Sequence, residues 1–246
     1  MNTSWNPKQQ VIDNYLSVCR EAAESDLVFK SFKSDSRYTP ILEHAWHQLG
    51  VNHLHNIQEN NPYLLTDYPK VWENDNYGMP KTSDFSFRVC SPTTIQYLSV
   101  LSNLLKYIGS LEGFKLVEIG GGYGGQAKIV TDVFNIKEYS IIDLPEVTLL
   151  QSRYIRELQI PNTRTFTHVD YPKDQEYDLV ISNYAITEVL EPLQSEYVDH
   201  ILMNSKHGYL TCNAPLSKID QLKSKFNITE LPDIPGERLS NYILVW

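Results

Sequence analysis

The stretch that decides the fold is LVEIGGGYGGQ, residues 116–126. It places five of the chain's eleven glycines within the six positions 120–125. An apolar run leads into these glycines and a helical pattern follows them, which predicts a strand, a bare turn and a helix. Glycine lets a backbone approach a ligand closely, and the first N–H groups of a helix are open to a polar partner. The stretch therefore predicts a ligand-binding loop.

Strands and helices alternate from residue 114 onward. We predict strands over 115–119, 138–142, 164–168, 177–182, 207–213, 226–231 and 241–246, and helices over 124–134, 145–159, 191–205 and 216–224. Such alternation is typical of an α/β fold, a Rossmann-like and mostly parallel sheet with helices on both faces. Only PDIPGERLS (232–240) separates the last two strands, which predicts an antiparallel C-terminal hairpin at one edge.

The N-terminal region has a different pattern. Apolar spacing predicts helices over 8–23 and 40–49, the second begun by Pro40 and stopped by Gly50. Residues 51–90 are rich in Pro, Asn and Asp and are expected to form loops and short turns. Ser91 and Pro92 begin a clear helix that ends at Gly109. We therefore expect a mainly helical cap and substrate region over 1–109 and a cofactor-binding core over 110–246.

Charge and composition exclude several classes of protein. The chain has 246 residues, a formal net charge of −9 and no run of Lys or Arg, so neither nucleic acid nor an anionic membrane surface is an expected partner. Cys19, Cys90 and Cys212 form no C-x-x-C pair, and the N-terminus MNTSWNPKQQ lacks an apolar signal segment. No apolar stretch is long enough to span a bilayer. A cytoplasmic protein is expected, and a homodimer is one candidate assembly.

Three nucleotide-type interpretations of the glycine loop compete. A P-loop needs Lys where Gln126 stands, so it is rejected. The dinucleotide fingerprint G-x-G-x-x-G matches through Gly120, Gly122 and Gly125, a match that is weak alone. The pattern acidic-x-G-x-G-x-G matches through Glu118, Gly120, Gly122 and Gly124. This third pattern resembles motif I of class I S-adenosylmethionine-dependent methyltransferases.

Glu118 favours the third interpretation on physical grounds. A dinucleotide brings a pyrophosphate, which a neighbouring carboxylate repels, whereas S-adenosylmethionine brings a sulfonium cation and an ammonium group. An acid just before the glycines therefore suits the methyl donor. The alternative is that Glu118 only caps the neighbouring turn.

Polar residues after the next strands extend the predicted site. Asp143 follows the second strand, 19 residues after Gly124, where a carboxylate accepts ribose hydroxyls; it is alternatively an N-cap for the helix at Pro145. Asp170 follows the third strand and is expected near the adenine amine, or is a plain loop residue. Asn183 follows the fourth strand and either faces the methyl donor or only turns the chain.

Three strings extend the resemblance beyond the generic motif. EIGGGYGGQ, IIDLPEV and SNYAITEV resemble sugar O-methyltransferases of antibiotic and surface-glycan biosynthesis, and NDNYGMP (74–80) and RVCSPTTIQYL (88–98) resemble the segments that precede motif I there. The resemblance covers roughly residues 74–215. It implies the class I fold, S-adenosylmethionine as cofactor and a saccharide as acceptor. It implies contacts to the cofactor from Glu118, Gly120, Gly122, Gly124, Asp143 and Asp170, and we extend these to Gln126, Leu144, Tyr171, Asn183 and Arg88.

Methyl transfer to a sugar hydroxyl needs positioning and help with a proton. The first candidate base is Glu188, one helical turn after Tyr184, and the others are Asp75 and His168. Mg²⁺ is an alternative activator of the hydroxyl. Arg88 is alternatively a contact to an acidic group of the acceptor, or a surface ion pair.

Further polar and aromatic residues complete the sequence-based site. We expect Tyr184, Tyr77 and Trp72 to contact the substrate, although the core is an alternative place for Trp72. The histidines 44, 47, 53 and 55 lack the acidic neighbours and the H-E-x-x-H spacing of a metal centre, so no protein metal site is predicted.

Three other functions stay open at this point. A phenolic or other small-molecule acceptor is suggested by the DLP of residues 143–145, which also resembles plant-type O-methyltransferases. An NAD-dependent oxidoreductase would use the overlapping glycine fingerprint. A cofactor-binding scaffold without turnover would serve as a partner subunit of another enzyme.

Overall fold

The computed structural model describes residues 7–233 and 240–246. The α-helices, α1 to α9, are Pro7–Glu24, Asp26–Phe29, His47–Asn60, Pro92–Tyr107, Gly125–Val133, Pro145–Glu157, Ala185–Glu188, Leu193–His200 and Ile219–Lys225. The strands, β1 to β9, are Ser83–Asp84, Val89–Cys90, Lys115–Ile119, Glu138–Asp143, Thr163–Thr167, Tyr177–Asn183, Ser205–Cys212, Thr229–Pro232 and Tyr242–Val245. No helix in the described ranges is long and apolar enough to cross a membrane.

Seven strands form the main sheet, in the order β5-β4-β3-β6-β7-β9-β8. The first five of these are parallel, and β9 is antiparallel to both β7 and β8. This order confirms the predicted α/β fold, a Rossmann-like and mostly parallel sheet with an antiparallel C-terminal hairpin. Most of the turn predicted at 232–240 lies in residues 234–239, which are outside the described residues. Residues 1–6, part of the N-terminus for which we predicted no signal segment, also lie outside them.

Successive side chains of a strand point to opposite faces of the sheet. Both faces are buried here because helices pack on each of them. Leu116 of β3 packs in a core with residues of α3, α4 and α5, while its neighbour Val117 packs in a second core with residues of α8 and α9. A third core joins α1 to α6 and includes Tyr123 of the glycine loop. The central strand β3 is thus covered on both sides, and its carboxyl end presents the glycine turn.

The N-terminal prediction was wrong between residues 40 and 60. Residues 40–46 are not helical, and the helix is α3, which begins at His47 and runs through Gly50 to Asn60. Gly50 is a point of close packing rather than a stop, since a Cβ there would lie 2.6 Å from Cζ of Phe85. Residues 62–65 and 69–76 form 3-10 helices inside the stretch expected to be loops.

The predicted helix over 191–205 was too long. It is interrupted after α8, and a 3-10 turn at Leu202–Asn204 leads directly into β7 at Ser205. The strand predicted at 226–231 is likewise shorter, because β8 covers only Thr229–Pro232.

A polar contact holds α3 against α4 above the sheet. The Nδ2 of Asn56 donates to Oγ of Ser99 at 2.8 Å and to Oδ1 of Asn103 at 3.0 Å, and Asn103 in turn donates to the hydroxyl of Tyr209 on β7 at 2.9 Å. These bonds set the position of the cap helices relative to the strand ends.

We expect Asn56→Ala to lower the free energy of unfolding by about 1–3 kcal/mol, because it leaves a buried acceptor on Asn103 unpaired. At this chain length each kcal/mol corresponds to about 2–4 °C in the melting temperature, which calorimetry measures. Asn52→Ala, on the exposed side of the same helix, is the control and should cost much less. Equal losses from both variants would show that the contact contributes nothing specific.

Candidate functional site

The glycine loop joins β3 to α5 through a backbone that few side chains could follow. Gly120, Gly122 and Gly124 all have positive φ, at +74°, +57° and +97°. A methyl group at Gly120 would overlap Cβ of Ala185, and one at Gly122 would lie 2.6 Å from Cδ1 of Leu42. The glycines are therefore required by both backbone conformation and close approach.

Glu118 lies under this loop, not at its mouth. Its side chain is 2 % exposed, and its Oε2 accepts a hydrogen bond from the hydroxyl of Tyr139 at 2.9 Å. Burial raises the pKa of Glu118 to about 8, partly offset by that hydrogen bond, and the nearby Asp143 raises it further. The carboxyl group is therefore largely protonated at neutral pH and would ionise when a cation comes close.

Asp143 ties the end of β4 to the glycine loop. Its Oδ2 accepts from the N–H of Gly122 and from Nε2 of Gln151, both at 3.1 Å, and its Oδ1 accepts from the N–H of Leu144 at 2.8 Å. Burial raises the pKa of Asp143 to about 7, although these hydrogen bonds oppose the shift. The carboxylate is partly exposed at the carboxyl edge of the sheet, where a nucleoside would lie.

The residues after β5 lie further along the same edge. Asp170 is exposed, and its Oδ1 accepts from the N–H and the hydroxyl of Thr167, both at 2.6 Å, which lowers its pKa. Tyr171 is buried, and its hydroxyl has no hydrogen-bond partner within the described part of the chain. Leu144 is exposed at the start of α6. All three lie after β4 or β5, at the end of the sheet predicted to hold adenine.

The loop after β6 faces the glycine turn from the other side. Tyr184 has φ +66°, its N–H donates to the carbonyl of Thr211 at 2.8 Å, and its hydroxyl donates to Oδ2 of Asp233 at 2.7 Å. Asn183 accepts from the hydroxyl of Thr211 at 3.3 Å. Both residues line a small, partly open cavity of about 20 Å³, in which every described lining residue except Val100 carries a side chain that can form hydrogen bonds. The loop that carries this pair contacts the glycine turn, because Ala185 packs against Gly120.

The three candidate bases lie in different surroundings. Glu188 is exposed at the end of α7 and accepts from Nδ2 of Asn213 at 2.7 Å. Asp75 accepts from the N–H of Ser91 and the hydroxyl of Thr94, so it holds the start of α4. His168 is partly buried beside the end of β4, and its Nδ1 has no hydrogen-bond partner in residues 7–233 or 240–246.

The other residues predicted to contact cofactor or substrate make contacts to neighbouring protein groups. Gln126 is buried and donates to the carbonyl of Tyr97 at 3.2 Å. Trp72 is 7 % exposed in the core, and the guanidinium of exposed Arg88 lies 4.9 Å from its ring centroid. Tyr77 packs against Phe29. Arg88 lies in the turn between β1 and β2, and its guanidinium contacts Trp72.

Sequence reasoning missed a buried cluster under the glycine loop. Lys33 is fully buried, its Nζ donates to the carbonyl of Asn74 at 2.5 Å, and it lies 4.2 Å from the ring centroid of Tyr123. Burial lowers the pKa of Lys33 to about 8. Asn74 also donates to the hydroxyl of Tyr123, and Glu43, with its pKa raised by burial, is the nearby acid. These residues are distant in sequence and form no motif, so only the structure could unite them.

The described residues show no set of three or more His, Cys, Asp or Glu side chains placed to hold a metal ion. His47 stacks on Phe85, and His55 pairs with Glu59 on the exposed side of α3.

No known family profile matches the chain, and no curated protein matches it. Among solved structures, it is similar to magnesium protoporphyrin IX methyltransferase from Synechocystis PCC 6803 with bound S-adenosylmethionine, at 11% identity and TM-score 0.47 over 77% of this chain and 94% of that one.

Two further structures show the same level of similarity. A mutant of MtNAS in complex with S-adenosylmethionine has 16% identity and TM-score 0.45 over 99% of both chains. A Thermoplasma acidophilum protein, number 1320, has 14% identity and TM-score 0.42 over 80% of this chain and 95% of that one. At such values these similarities add nothing to what the strand order already establishes.

We expect Gly120→Ala to destabilise the protein more than Gly113→Ala. Both positions have positive φ, which costs alanine about 1–2 kcal/mol, but only Gly120 faces another atom at the Cβ position. The overlap with Ala185 adds about 1–3 kcal/mol. Urea unfolding of the two variants measures the difference, and equal costs would show that the loop after β6 moves aside freely.

We expect Glu118→Gln to stabilise the ligand-free protein increasingly as pH rises. The ordinary pKa of 4.5 applies in the unfolded chain and about 8 in the folded one. Between these values only the unfolded chain loses the proton, so the wild type loses stability as pH rises and levels off above pH 8. The variant has no such loss, and its advantage over the wild type at pH 8 should be on the order of 4–5 kcal/mol.

Chemical denaturation at pH 5 and pH 8 measures this advantage. Glu176→Gln, at an exposed glutamate, is the control and should show no pH-dependent gain. An advantage for Glu118→Gln that stays constant between the two pH values would contradict the burial argument.

Proposed function

We propose that the chain is an S-adenosylmethionine-dependent O-methyltransferase that acts on a hydroxyl group of a saccharide. The observation that carries the proposal is the unit formed by Glu118, the glycine turn and Asp143. The N–H of Gly122 binds Asp143, and Glu118 lies so close beneath Gly121 that a Cβ there would be 3.0 Å from its Oε2. The carboxylate of Asp143 at this bare loop favours a cationic ligand over a pyrophosphate, and Glu118 beneath the loop would add to this preference when it ionises.

The residues present fit the methyl donor. Gly120, Gly122 and Gly124 give the turn after β3 a bare backbone with positive φ, and Asp143 is held beside it, where it could accept ribose hydroxyls. The buried hydroxyl of Tyr171 lacks a partner among the described residues, on the side where adenine is expected. When bound, S-adenosylmethionine supplies an electrophilic methyl group on a sulfonium. The chain's own task is to hold the acceptor oxygen in line and to remove its proton, and positioning alone can contribute up to about 7–11 kcal/mol.

The acceptor side of the site supports a polar substrate. The cavity beside Asn183 and Tyr184 is lined almost entirely by side chains that donate or accept hydrogen bonds. A phenolic acceptor would favour an apolar wall instead. We accordingly propose residues 1–109 as the acceptor-binding cap and 110–246 as the cofactor-binding core. Glu188 stays the first candidate base, and Mg²⁺ activation, a homodimer and a cytoplasmic location stay predictions.

Binding and turnover test the proposal directly. We expect S-adenosylmethionine and S-adenosylhomocysteine, but not NAD, to raise the melting temperature, because only they bring an ammonium group to the two acids. With labelled S-adenosylmethionine and a panel of oligosaccharides, with and without chelator, mass spectrometry should detect a methylated saccharide. Stabilisation by NAD alone would instead support an oxidoreductase.

A matched pair of variants separates the site from general effects of charge. Asp143→Asn should weaken binding of S-adenosylhomocysteine in calorimetry by about 10-fold or more, since it removes a charged acceptor of two ribose hydroxyls. Asp67→Asn, at an exposed loop carboxylate, should leave the affinity unchanged. Equal affinities for both variants would contradict the assignment of Asp143 to the cofactor.

A further inference from the structure

A small, partly open cavity lies between α3, α4 and the sheet, and nine of its ten described lining residues carry side chains that can form hydrogen bonds. It lies where α3 and α4 meet the carboxyl ends of β6 and β7, and its volume of about 20 Å³ has room for a single water-sized group. Asn103, Tyr209 and Thr211 in its wall are all at least nine-tenths buried. These three side chains already hydrogen-bond within the protein, so they require no further partner.

His53 is the lining residue whose own hydrogen bonds are missing. It is 5 % exposed, and neither ring nitrogen has a hydrogen-bond partner in the part of the chain that the structure describes. It lies one helical turn before Asn56, whose bonds to α4 fix this face of α3. Burial lowers the pKa of His53 to about 3, so the ring is neutral at physiological pH. A neutral imidazole offers one N–H donor and one bare nitrogen acceptor.

The cavity adjoins the place where the methyl group would be transferred. Asn183 and Tyr184 line it from the end of β6. The next residue, Ala185, packs so closely on Gly120 of the glycine loop that no Cβ fits between them. The cavity and the glycine turn are therefore separated by little more than one residue of the β6 loop.

We propose that this cavity receives one hydroxyl group of the acceptor and that His53 hydrogen-bonds to it. The proposal rests on the proposed methyltransferase function and deepens it. Among the described residues lining the cavity there is no Lys or Arg, and Asp233 is the one carboxylate. A neutral hydroxyl both donates and accepts a hydrogen bond, as the neutral imidazole of His53 does, so the two groups match.

His53 would then act as a specificity residue for the acceptor. A hydroxyl that fills the cavity pairs with the ring and fixes the orientation of the rest of the molecule. An acceptor that lacks this hydroxyl leaves the buried imidazole unpaired, which sites of this kind discriminate against strongly. The group seated in the cavity need not be the one that is methylated; a neighbouring hydroxyl would be held towards the donor.

Three variants test the assignment by methyl transfer. His53→Leu should lower kcat/KM for the best saccharide of the panel by roughly 5- to 150-fold, which is what a lost hydrogen bond to a buried polar group is worth. His53→Gln, which keeps a donor and an acceptor, should retain more activity than His53→Leu. His55→Leu, on the exposed side of the same helix, should behave as the wild type. Affinity for S-adenosylhomocysteine should be the same in all three.

A second measurement needs no turnover. The full chain with ¹⁵N-labelled histidine is titrated with methyl glycosides of common hexoses and deoxyhexoses, and His53→Gln assigns the ring signals. We expect the ring nitrogens of His53 to shift while those of His55 do not. No shift with any glycoside, or equal kcat/KM for His53→Leu and the wild type, overturns the inference and leaves the cavity as the site of a structural water.

The two measurements distinguish the possible failures. If S-adenosylhomocysteine does not bind and no methyl group is transferred, the proposed function fails, and the titration alone still decides whether His53 meets a hydroxyl. If methyl transfer is seen but the ring signals of His53 do not shift and His53→Leu keeps the wild-type kcat/KM, the proposed function stands. The assignment of the cavity to an acceptor hydroxyl is then wrong.

Discussion

The hydrogen bond from the N–H of Gly122 to Asp143 sets the shape of the whole carboxyl edge of the sheet. A turn of left-handed glycines has no side chains of its own to fix it, and such a backbone would otherwise be free to vary. Asp143, at the end of the neighbouring strand, holds the glycine turn by accepting from the N–H of Gly122. Gln151 of α6 holds both Asp143 and the turn, because its Nε2 donates to the carboxylate of Asp143 and to the carbonyl of Gly122. The ends of β3 and β4 and the body of α6 therefore form one rigid unit.

The helical cap is attached to this unit by buried polar groups as well as by apolar packing. The backbone carbonyl of Asn74 accepts a hydrogen bond from Lys33, and its Oδ1 accepts one from the hydroxyl of Tyr154. Its Nδ2 donates to the hydroxyl of Tyr123 in the glycine loop. Burying a lysine is unfavourable unless its charge is compensated, here by that carbonyl and by aromatic rings. Our interpretation is that the cluster specifies how the cap sits on the loop, since apolar packing alone would tolerate small shifts.

The core of the fold could be predicted from sequence because each element from residue 114 onward carries its own periodic pattern. That Glu118, the glycine turn and Asp143 lie together could also be predicted, since they are at fixed distances along one β-α-β unit; their contact with a cofactor stays a prediction. The helix α3 was missed because Gly50 and polar His53 interrupt its buried face, and its N-cap, Trp46, makes no side-chain cap. The spacing of Leu49, Leu54 and Ile57 was the available indication.

The acceptor side could not be predicted in the same way. His53, Tyr184 and Asp233 come from three distant parts of the chain, and nothing local in the sequence of any of them indicates a shared cavity. Their juxtaposition depends on how the cap docks on the strand ends, which is a property of tertiary packing. Burial also changed the meaning of a residue that the sequence did identify, because Glu118 lies beneath the loop as a largely protonated acid.

The position of β9 inside the sheet has a consequence for biosynthesis. β8 touches the rest of the sheet only through β9, which follows it in the chain and pairs with both β7 and β8. When β8 has left the ribosome and β9 has not, β8 has no partner strand in the sheet to pair with. The parallel strands can assemble earlier, but the sheet is completed only when β9 inserts between two partners that were made before it.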